Sequence, residues 1–230
     1  MIKNVFLDLD DTILDFQKGE RVALIKALKQ MGTDPTENLI KRYIEINLDC
    51  WRALERGEMT KDQVLFGRFE RLFSEYGISA SPIKTQEIYE KLLSEEHDFL
   101  PGAKELLDAF KSMGRYRLFM ATNGIPSVQN PRLDDSGVRE YFDMIFISED
   151  IGFAKPSKAF FDECFSRIDG FRHEETIIVG DSLSSDICGG INAGILTCHF
   201  NRNGILYDKI KPNYVIKNLD ELLPLLDSIE

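Results

Sequence analysis

A parallel α/β sheet covered by helices on both faces, interrupted near its start by a helical insert, is the fold class this sequence predicts. Three observations lead there. From Leu100-Pro101-Gly102 onward, helical and strand patterns alternate, as a parallel sheet with crossover helices requires. Between Asp15 and Glu96 no strand pattern appears, and apolar residues recur at helical spacing instead. The short apolar run Val5-Phe6-Leu7 stands ahead of that insert, so the sheet begins before it and resumes after it.

The elements follow in chain order. Val5–Leu9 reads as the first, buried strand. Leu24, Leu28 and Met31 mark one face of a first helix, and Ile44, Leu48 and Trp51 mark a second. Val64, Leu65, Phe69, Leu72, Phe73 and Tyr76 mark a third, and Ser81-Pro82 opens a fourth with a cap and a first-turn proline. After the insert a helix is expected near Ala103–Met113, with strands near 116–121, 144–147, 176–179 and 195–199. The segment Ser157–Ile168, between the strands near 144–147 and 176–179, is helix-like. Pro131 in IPSVQNPRLDDSG would break a helix running on from the second strand, at a cost of roughly 3 kcal/mol. A loop over Gly124–Gln129 is therefore expected, with Asn130 capping a helix that restarts at Pro131. The division implied is 1–14 plus 100–230 for the α/β core and 15–99 for the insert.

Chemistry-bearing residues stand where the strands end. Asp8 and Asp10, in DLDDT, emerge at the carboxyl end of the first strand, where open α/β sheets bind ligands. Two ionised carboxylates about 4 Å apart repel by roughly 4 kcal/mol at an effective dielectric near 20, which a divalent cation or a shared proton relieves. A solvated acidic turn with Thr12 as a helix cap is the plainer alternative. Thr122-Asn123-Gly124 closes the next strand, with a hydroxyl and free backbone N–H groups that suit a phosphate or simply a helix start. Lys155 lies in GFAKPS, and alone it is an exposed lysine. Gly180-Asp181 ends a β-branched run, with Asp186 five residues on in GDSLSSD. There the first aspartate can face a metal, or the turn only caps a helix.

The order D-x-D-x-T, Thr, Lys, G-D-x-x-x-x-D resembles the haloacid dehalogenase-like phosphohydrolase superfamily, and the likeness runs over nearly the whole chain. TNG, SEDIGFAKPSKAFFD and GDSLSSDICGGINAGILTCHFN are similar to its noncanonical pyrimidine nucleotidases. The resemblance implies a Rossmann-like core and makes the insert a cap domain, joined through linkers near Leu14–Lys18 and His97–Leu100, with the active site between cap and core. It implies Asp8 as nucleophile forming an aspartyl-phosphate and Asp10 as general acid and base. Thr122 and the Asn123 N–H would bind phosphoryl oxygens, and Lys155 would neutralise charge on Asp8 and the phosphoryl group. Mg²⁺ would be held by Asp8, the Asp10 main-chain carbonyl and Asp181, with Asp186 and Ser182 supporting from outside. The expected activity is hydrolysis of phosphomonoesters, nucleoside 5′-monophosphates with pyrimidine bases first. Trp51 and the aromatic residues of 66–76 are candidates to stack on a base. A sugar or acyl-sugar phosphate phosphatase and a phosphoglucomutase-like enzyme are the alternatives. Further away stand a response-regulator-like receiver and a silent phosphometabolite-binding protein. The second carboxylate, Asp10, argues against a true dehalogenase.

Composition bounds the rest. The 230 residues are 43% hydrophobic and 29% charged, enough for a sizeable core. A net charge of −11, from 39 acidic and 28 basic residues, disfavours nonspecific nucleic-acid or anionic-membrane binding, so a phosphorylated small molecule must be drawn by local cations. No obligate protein partner is evident. Cys50, Cys164, Cys188 and Cys198 form no CxxC pair and are expected as buried free thiols. The opening MIKNVFLDLDD is too short in apolar residues for a secretory segment, which makes the cytoplasm the expected location. His97, His173 and His199 lack metal-ligand spacing and are expected at the surface or packed near a hinge.

Overall fold

The computed structural model describes residues 1–206 and 209–229. Its elements in order are β1 (Asn4–Leu7), α1 (Phe16–Gln30), α2 (Glu37–Glu55), α3 (Lys61–Tyr76), α4 (Pro82–Ser94), α5 (Ala103–Met113), β2 (Arg117–Thr122) and α6 (Pro126–Asp135). There follow β3 (Met144–Ile147), α7 (Ser148–Ile151), α8 (Lys158–Ser166), β4 (Thr176–Gly180), α9 (Cys188–Ala193), β5 (Leu196–Phe200), β6 (Tyr214–Ile216) and α10 (Leu222–Ser228). Chain contacts divide the molecule into an α/β unit, Met1–Asp15, His97–Pro126 and Leu133–Glu230, and a helical unit, Phe16–Glu96 with Ser127–Arg132.

In the α/β unit six parallel strands lie in the order β3-β2-β1-β4-β5-β6. The strand order reverses between β1 and β4, which places the ends of those two strands at the crevice where ligands bind in such sheets. Successive residues of each strand serve opposite faces. Val5 and Leu7 join Leu118, Met120, Ile177 and Val179 under α5 and α10. Phe6 turns the other way, to Phe119, Phe146 and the Phe160, Phe161 and Phe165 side chains of α8. Phe6 and Phe119 lie 5.1 Å apart. Buried aromatic rings of this size each stabilise by about 1.5–3 kcal/mol, and together they hold the strand ends in register.

In the helical unit the caps match the sequence. Thr36, Thr60 and Ser81 accept hydrogen bonds from the first turns of α2, α3 and α4. Tyr43, Phe69 and Tyr89 pack as a buried aromatic centre, with Tyr43 and Phe69 4.9 Å apart. Within this packing Arg68 of α3 is buried, and its hydrogen bonds tie α2 and α4 directly and α1 through Asn47. Its Nη1 donates to Asn47 at 2.7 Å, and Asn47 in turn donates to Glu20 at 2.6 Å. Its Nε and Nη2 donate to Gln86, which donates to Glu90.

Three expectations are corrected. The first strand ends at Leu7, so Asp8 already lies beyond it and the two-residue alternation does not carry to Asp10 and Thr12. Helix α6 begins at Pro126 and runs through Pro131, so there is no loop to Gln129 and no cap at Asn130. The proline's cost is offset by burial of Val128, Gln129, Arg132 and Leu133, with Arg132 donating to the Glu96 carbonyl and to Gln129. Strand β6 closes the sheet edge where no strand was expected; at three residues it is too short to show a period. Cys50, Cys164 and Cys198 are buried free thiols as expected, whereas Cys188 is partly exposed. No helix among the described residues is long and apolar enough to cross a membrane.

Candidate active site

The site is built from the ends of adjacent strands. Asp8 follows β1, and its N–H donates to the Val179 carbonyl at 3.0 Å, tying it to β4. Asp181 follows β4 directly. A tight π-helical turn, Leu183–Ile187, then returns Asp186 to the strand end. Gly180 permits that return: a Cβ there would lie 2.2 Å from Asp186 Oδ2. Carboxylate oxygens of Asp8, Asp181 and Asp186 all come within 4.8 Å of one another.

Lys155 enters from the loop between α7 and α8 and is 2% exposed, the opposite of a surface lysine. Its Nζ donates to Asp8 Oδ1 at 2.7 Å, Asp186 Oδ1 at 2.6 Å and the Ala121 carbonyl at 2.5 Å. Three donors meet three acceptors. Asn123 fixes the backbone beneath it: Asn123 Nδ2 donates to the Lys155 carbonyl at 2.8 Å, and the Lys155 N–H donates to Asn123 Oδ1 at 2.9 Å. Sequence reading gave Asn123 only its backbone N–H; the reciprocal side-chain clamp depends on a contact across 32 positions that no local pattern announces. Thr122 is buried at the end of β2, and its Oγ1 accepts from the Gly124 N–H at 3.1 Å. Asp10 is partly exposed in the turn after Asp8, close enough to raise the Asp8 pKa. Ser182 caps the π-helical turn through its hydroxyl, while its N–H donates to Asp186 Oδ2 at 3.1 Å. Thr12 caps no helix; its buried hydroxyl has no hydrogen-bond partner.

The electrostatics are lopsided. Burial pushes Asp8 up to about 8, with Lys155 pulling the other way and Asp186 and Asp10 adding to the rise. Burial likewise holds Asp181 well above the ordinary carboxylate range, followed by the charges of Asp8, Asp186 and Asp11. Burial works against the Lys155 ammonium, but Asp186 and Asp8 outweigh it and keep it protonated. One lysine thus faces a buried carboxylate cluster that is short of positive charge. Oxygen donors of this kind, converging and mutually repelling, fit a hard divalent cation.

His199 is another residue the sequence undervalued. It is fully buried on β5, and its Nε2 lies 2.9 Å from the Asp181 carbonyl. A carbonyl only accepts, so Nε2 carries the proton. Burial lowers the His199 pKa, which favours the neutral ring. His173, by contrast, packs edge-on against Phe165 and Phe171. Of the aromatic residues considered for base stacking, Phe69 and Phe73 are core of the helical unit, while Trp51 and Phe66 keep accessible surface. Phe66 lines an open cavity of about 460 Å³ together with Met59, Gly67, Glu58, Asp62 and Glu70.

A parallel sheet that gathers three carboxylates at neighbouring strand ends, with a buried lysine among them, is an α/β fold with an aspartate-based centre. The chain belongs to the haloacid dehalogenase-like hydrolases, whose family model matches residues 2–194. It is 39% identical over 226 residues to YfnB of Bacillus subtilis, named as a HAD-hydrolase, covering 98% of this chain and 95% of that protein. The magnesium-bound crystal structure of YfnB superposes with a TM-score of 0.93 over 98% of this chain and 99% of that one. The pyrimidine 5′-nucleotidase PynA of Streptococcus pneumoniae is 36% identical, over 98% of this chain and 95% of that protein. The pyrimidine 5′-nucleotidase YjjG of Escherichia coli is 32% identical, over 96% of each.

Proposed function

We propose that the protein is a Mg²⁺-dependent phosphomonoester hydrolase working through an aspartyl-phosphate on Asp8, and that its substrates are nucleoside 5′-monophosphates with pyrimidine bases. The catalytic domain is residues 1–14 and 100–230, and 15–99 is the cap. The observation that carries the reading is the position of Lys155, bonded at once to Asp8 and Asp186 in a cluster rich in buried carboxylate. The substrate class rests on the likeness to PynA and YjjG, which spans nearly all of each chain.

The reaction follows from the residues. Lys155 holds Asp8 through Oδ1, which leaves Oδ2 to attack phosphorus in line with the leaving oxygen. The bond to the leaving alkoxide breaks as Asp10 gives it a proton. Asp10 then takes a proton from water as that water attacks the phosphorus, breaking the bond to Asp8 and releasing inorganic phosphate. Thr122 and the Asn123 N–H bind the phosphoryl oxygens, and Lys155 offsets their charge. Asp8, the Asp10 main-chain carbonyl and Asp181 would hold Mg²⁺, with Asp186 and Ser182 fixing the turn behind them. When bound, that ion supplies neutralisation of charge on the phosphoryl oxygens and relief of repulsion among the carboxylates.

The test is a panel of nucleoside monophosphates and sugar phosphates scored by kcat/KM with and without Mg²⁺. Pyrimidine monophosphates should lead. A sugar or acyl-sugar phosphate turned over faster than every pyrimidine monophosphate would reject the nucleotidase assignment and leave the phosphatase chemistry standing. Full turnover in excess chelator would remove the metal from the scheme.

A further inference from the structure

The turn that follows the nucleophile holds a residue in a backbone conformation its side chain disfavours. Asp11 has φ +58°, and among the described residues every other positive φ belongs to a glycine. In the left-handed region Cβ crowds the following carbonyl; glycine escapes this, and aspartate tolerates it only as an isolated residue with local hydrogen bonding. Asp11 stands between Asp10 and Thr12, and its N–H donates to the Leu14 carbonyl at 2.8 Å, so its backbone angle decides how the chain turns immediately past Asp10.

A contact from the far end of the sequence reaches that residue. Arg202 Nη2 donates to Asp11 Oδ1 at 2.7 Å across 191 positions, with the side chains only 25% and 12% exposed. Arg202 is itself well placed. Asn201 beside it is buried, donates from Nδ2 to the Ile205 carbonyl at 2.9 Å and accepts the Ile205 N–H at 2.7 Å. The Asn201 N–H donates to the Ile216 carbonyl of β6 at 2.8 Å, so the loop is fastened where it leaves the sheet. The same end of β5 supplies His199 to the Asp181 carbonyl, so the β5 end contacts the carboxylate site twice. The pairing also offsets the charge of Asp11, which otherwise adds to the repulsion on Asp181.

We propose that Arg202 is a positioning residue for the reaction: through Asp11 it fixes the left-handed turn that aims Asp10 relative to Asp8. This rests on the phosphatase reading above. Arg202 does not touch the reacting atoms in this scheme; its effect passes through the backbone of the turn.

The experiment is a two-residue cycle, with p-nitrophenyl phosphate and Mg²⁺ as assay and thermal unfolding as a second readout. Arg202→Ala should lower kcat on the order of 10- to 100-fold, the scale of a small misplacement of a catalytic group, with KM within about twofold. Glycine adopts the left-handed turn without assistance, so Arg202→Ala combined with Asp11→Gly should return kcat to within about threefold of Asp11→Gly alone. The melting temperature lost in Arg202→Ala should be recovered in the same double variant. Arg202 Nε is buried without a hydrogen-bond partner, which offers the rival role of an anion contact. A raised KM with kcat retained would assign that role and overturn the proposal. So would a double variant no better than Arg202→Ala, or a single variant with wild-type kinetics. A wild-type protein inert toward every phosphomonoester fails the phosphatase reading instead, and the unfolding cycle alone then decides whether the pair holds the turn.

Discussion

Each of the two units buries a cation, and the company each keeps is different. In the helical unit Arg68 meets neutral amides, Asn47 and Gln86, which relay its charge to Glu20 and Glu90. Tyr43, Phe69 and Tyr89 present ring faces to it at 5.0–5.8 Å. Arg68, Asn47 and Gln86 all find hydrogen-bond partners there, and such a network specifies packing. In the α/β unit Lys155 bonds two carboxylates directly, with a third beside them, and burial leaves Asp8 and Asp181 hard to ionise. A satisfied buried network is structural, whereas one left with surplus charge needs something from outside the chain. The contrast separates scaffold from site without reference to any motif.

The sharpest way to break that contrast is to remove a carboxylate from the surplus side. Asp8→Asn should lower turnover roughly 10⁵-fold or more, because no covalent intermediate can form. Asp10→Asn should slow it by about 10²- to 10⁴-fold. Label from a radioactive phosphomonoester should stay on the Asp10 variant and never on the Asp8 variant. Neither substitution should cost much stability, since each relieves repulsion. Full activity in Asp8→Asn would end the mechanism.

The satisfied side should respond in the opposite way. Arg68→Ala strands Asn47 and Gln86 and leaves Glu20 and Glu90 without their relayed partner, which should cost about 3–5 kcal/mol, or on the order of 10 °C in melting temperature. Phe69→Ala belongs with it, since it opens the aromatic centre at a similar cost. An unshifted melting curve in Arg68→Ala would show that the network is dispensable and the contrast empty.

How much of this was legible in the sequence depended on how local each signal is. Strand and helix patterns near residues 103–113, 144–147 and 176–179 rest on periodicity within one element, and the elements stand there. The motif aspartates sit at strand ends because β-branched runs stop just before them. What was missed is long-range. Lys155 reads as exposed from GFAKPS alone, and only the fold buries it between strand ends. Asn123, His199 and Arg202 act across 32, 18 and 191 positions. The restart expected at Pro131 failed for the same reason: the local proline rule holds, but burial of Val128, Gln129, Arg132 and Leu133 outweighs it. Aromatic spacing in α3 could not separate Phe69 and Phe73, which are core, from Phe66, which is not.

The surplus charge also sharpens the comparison through metal binding. Mg²⁺ at about a hundred times its Kd should stabilise the protein by about 2.7 kcal/mol, seen as a rise in melting temperature. The rise should vanish in Asp181→Asn and persist in Arg68→Ala, whose unit holds no such cluster among the described residues. Ca²⁺ prefers longer bonds and more oxygen ligands, so it should bind yet inhibit by drawing both Asp8 oxygens to itself. Equal thermal shifts in wild type and Asp181→Asn would place the ion elsewhere.

The smallest effect tests whether the helical unit contributes anything beyond packing. Phe66 shares α3 with Phe69 but lines an open cavity, so its ring is available where Phe69 is committed to the core. Removing it leaves little void to collapse, and Phe66→Ala should shift stability by under about 1 kcal/mol, far less than Phe69→Ala. A nucleobase stacked on an aromatic side chain gains about 1–3 kcal/mol, so the same variant should raise KM for a pyrimidine monophosphate by roughly tenfold. For p-nitrophenyl phosphate, an aromatic ester without a nucleobase, the change should be smaller; an aliphatic phosphate such as glycerol phosphate should show none. Equal KM changes across all three would mean that Phe66 affects the protein generally, and no change in any would return α3 to a purely structural role. Only the graded response, nucleotide above aryl ester above aliphatic ester, ties the half-buried ring to recognition of the leaving group.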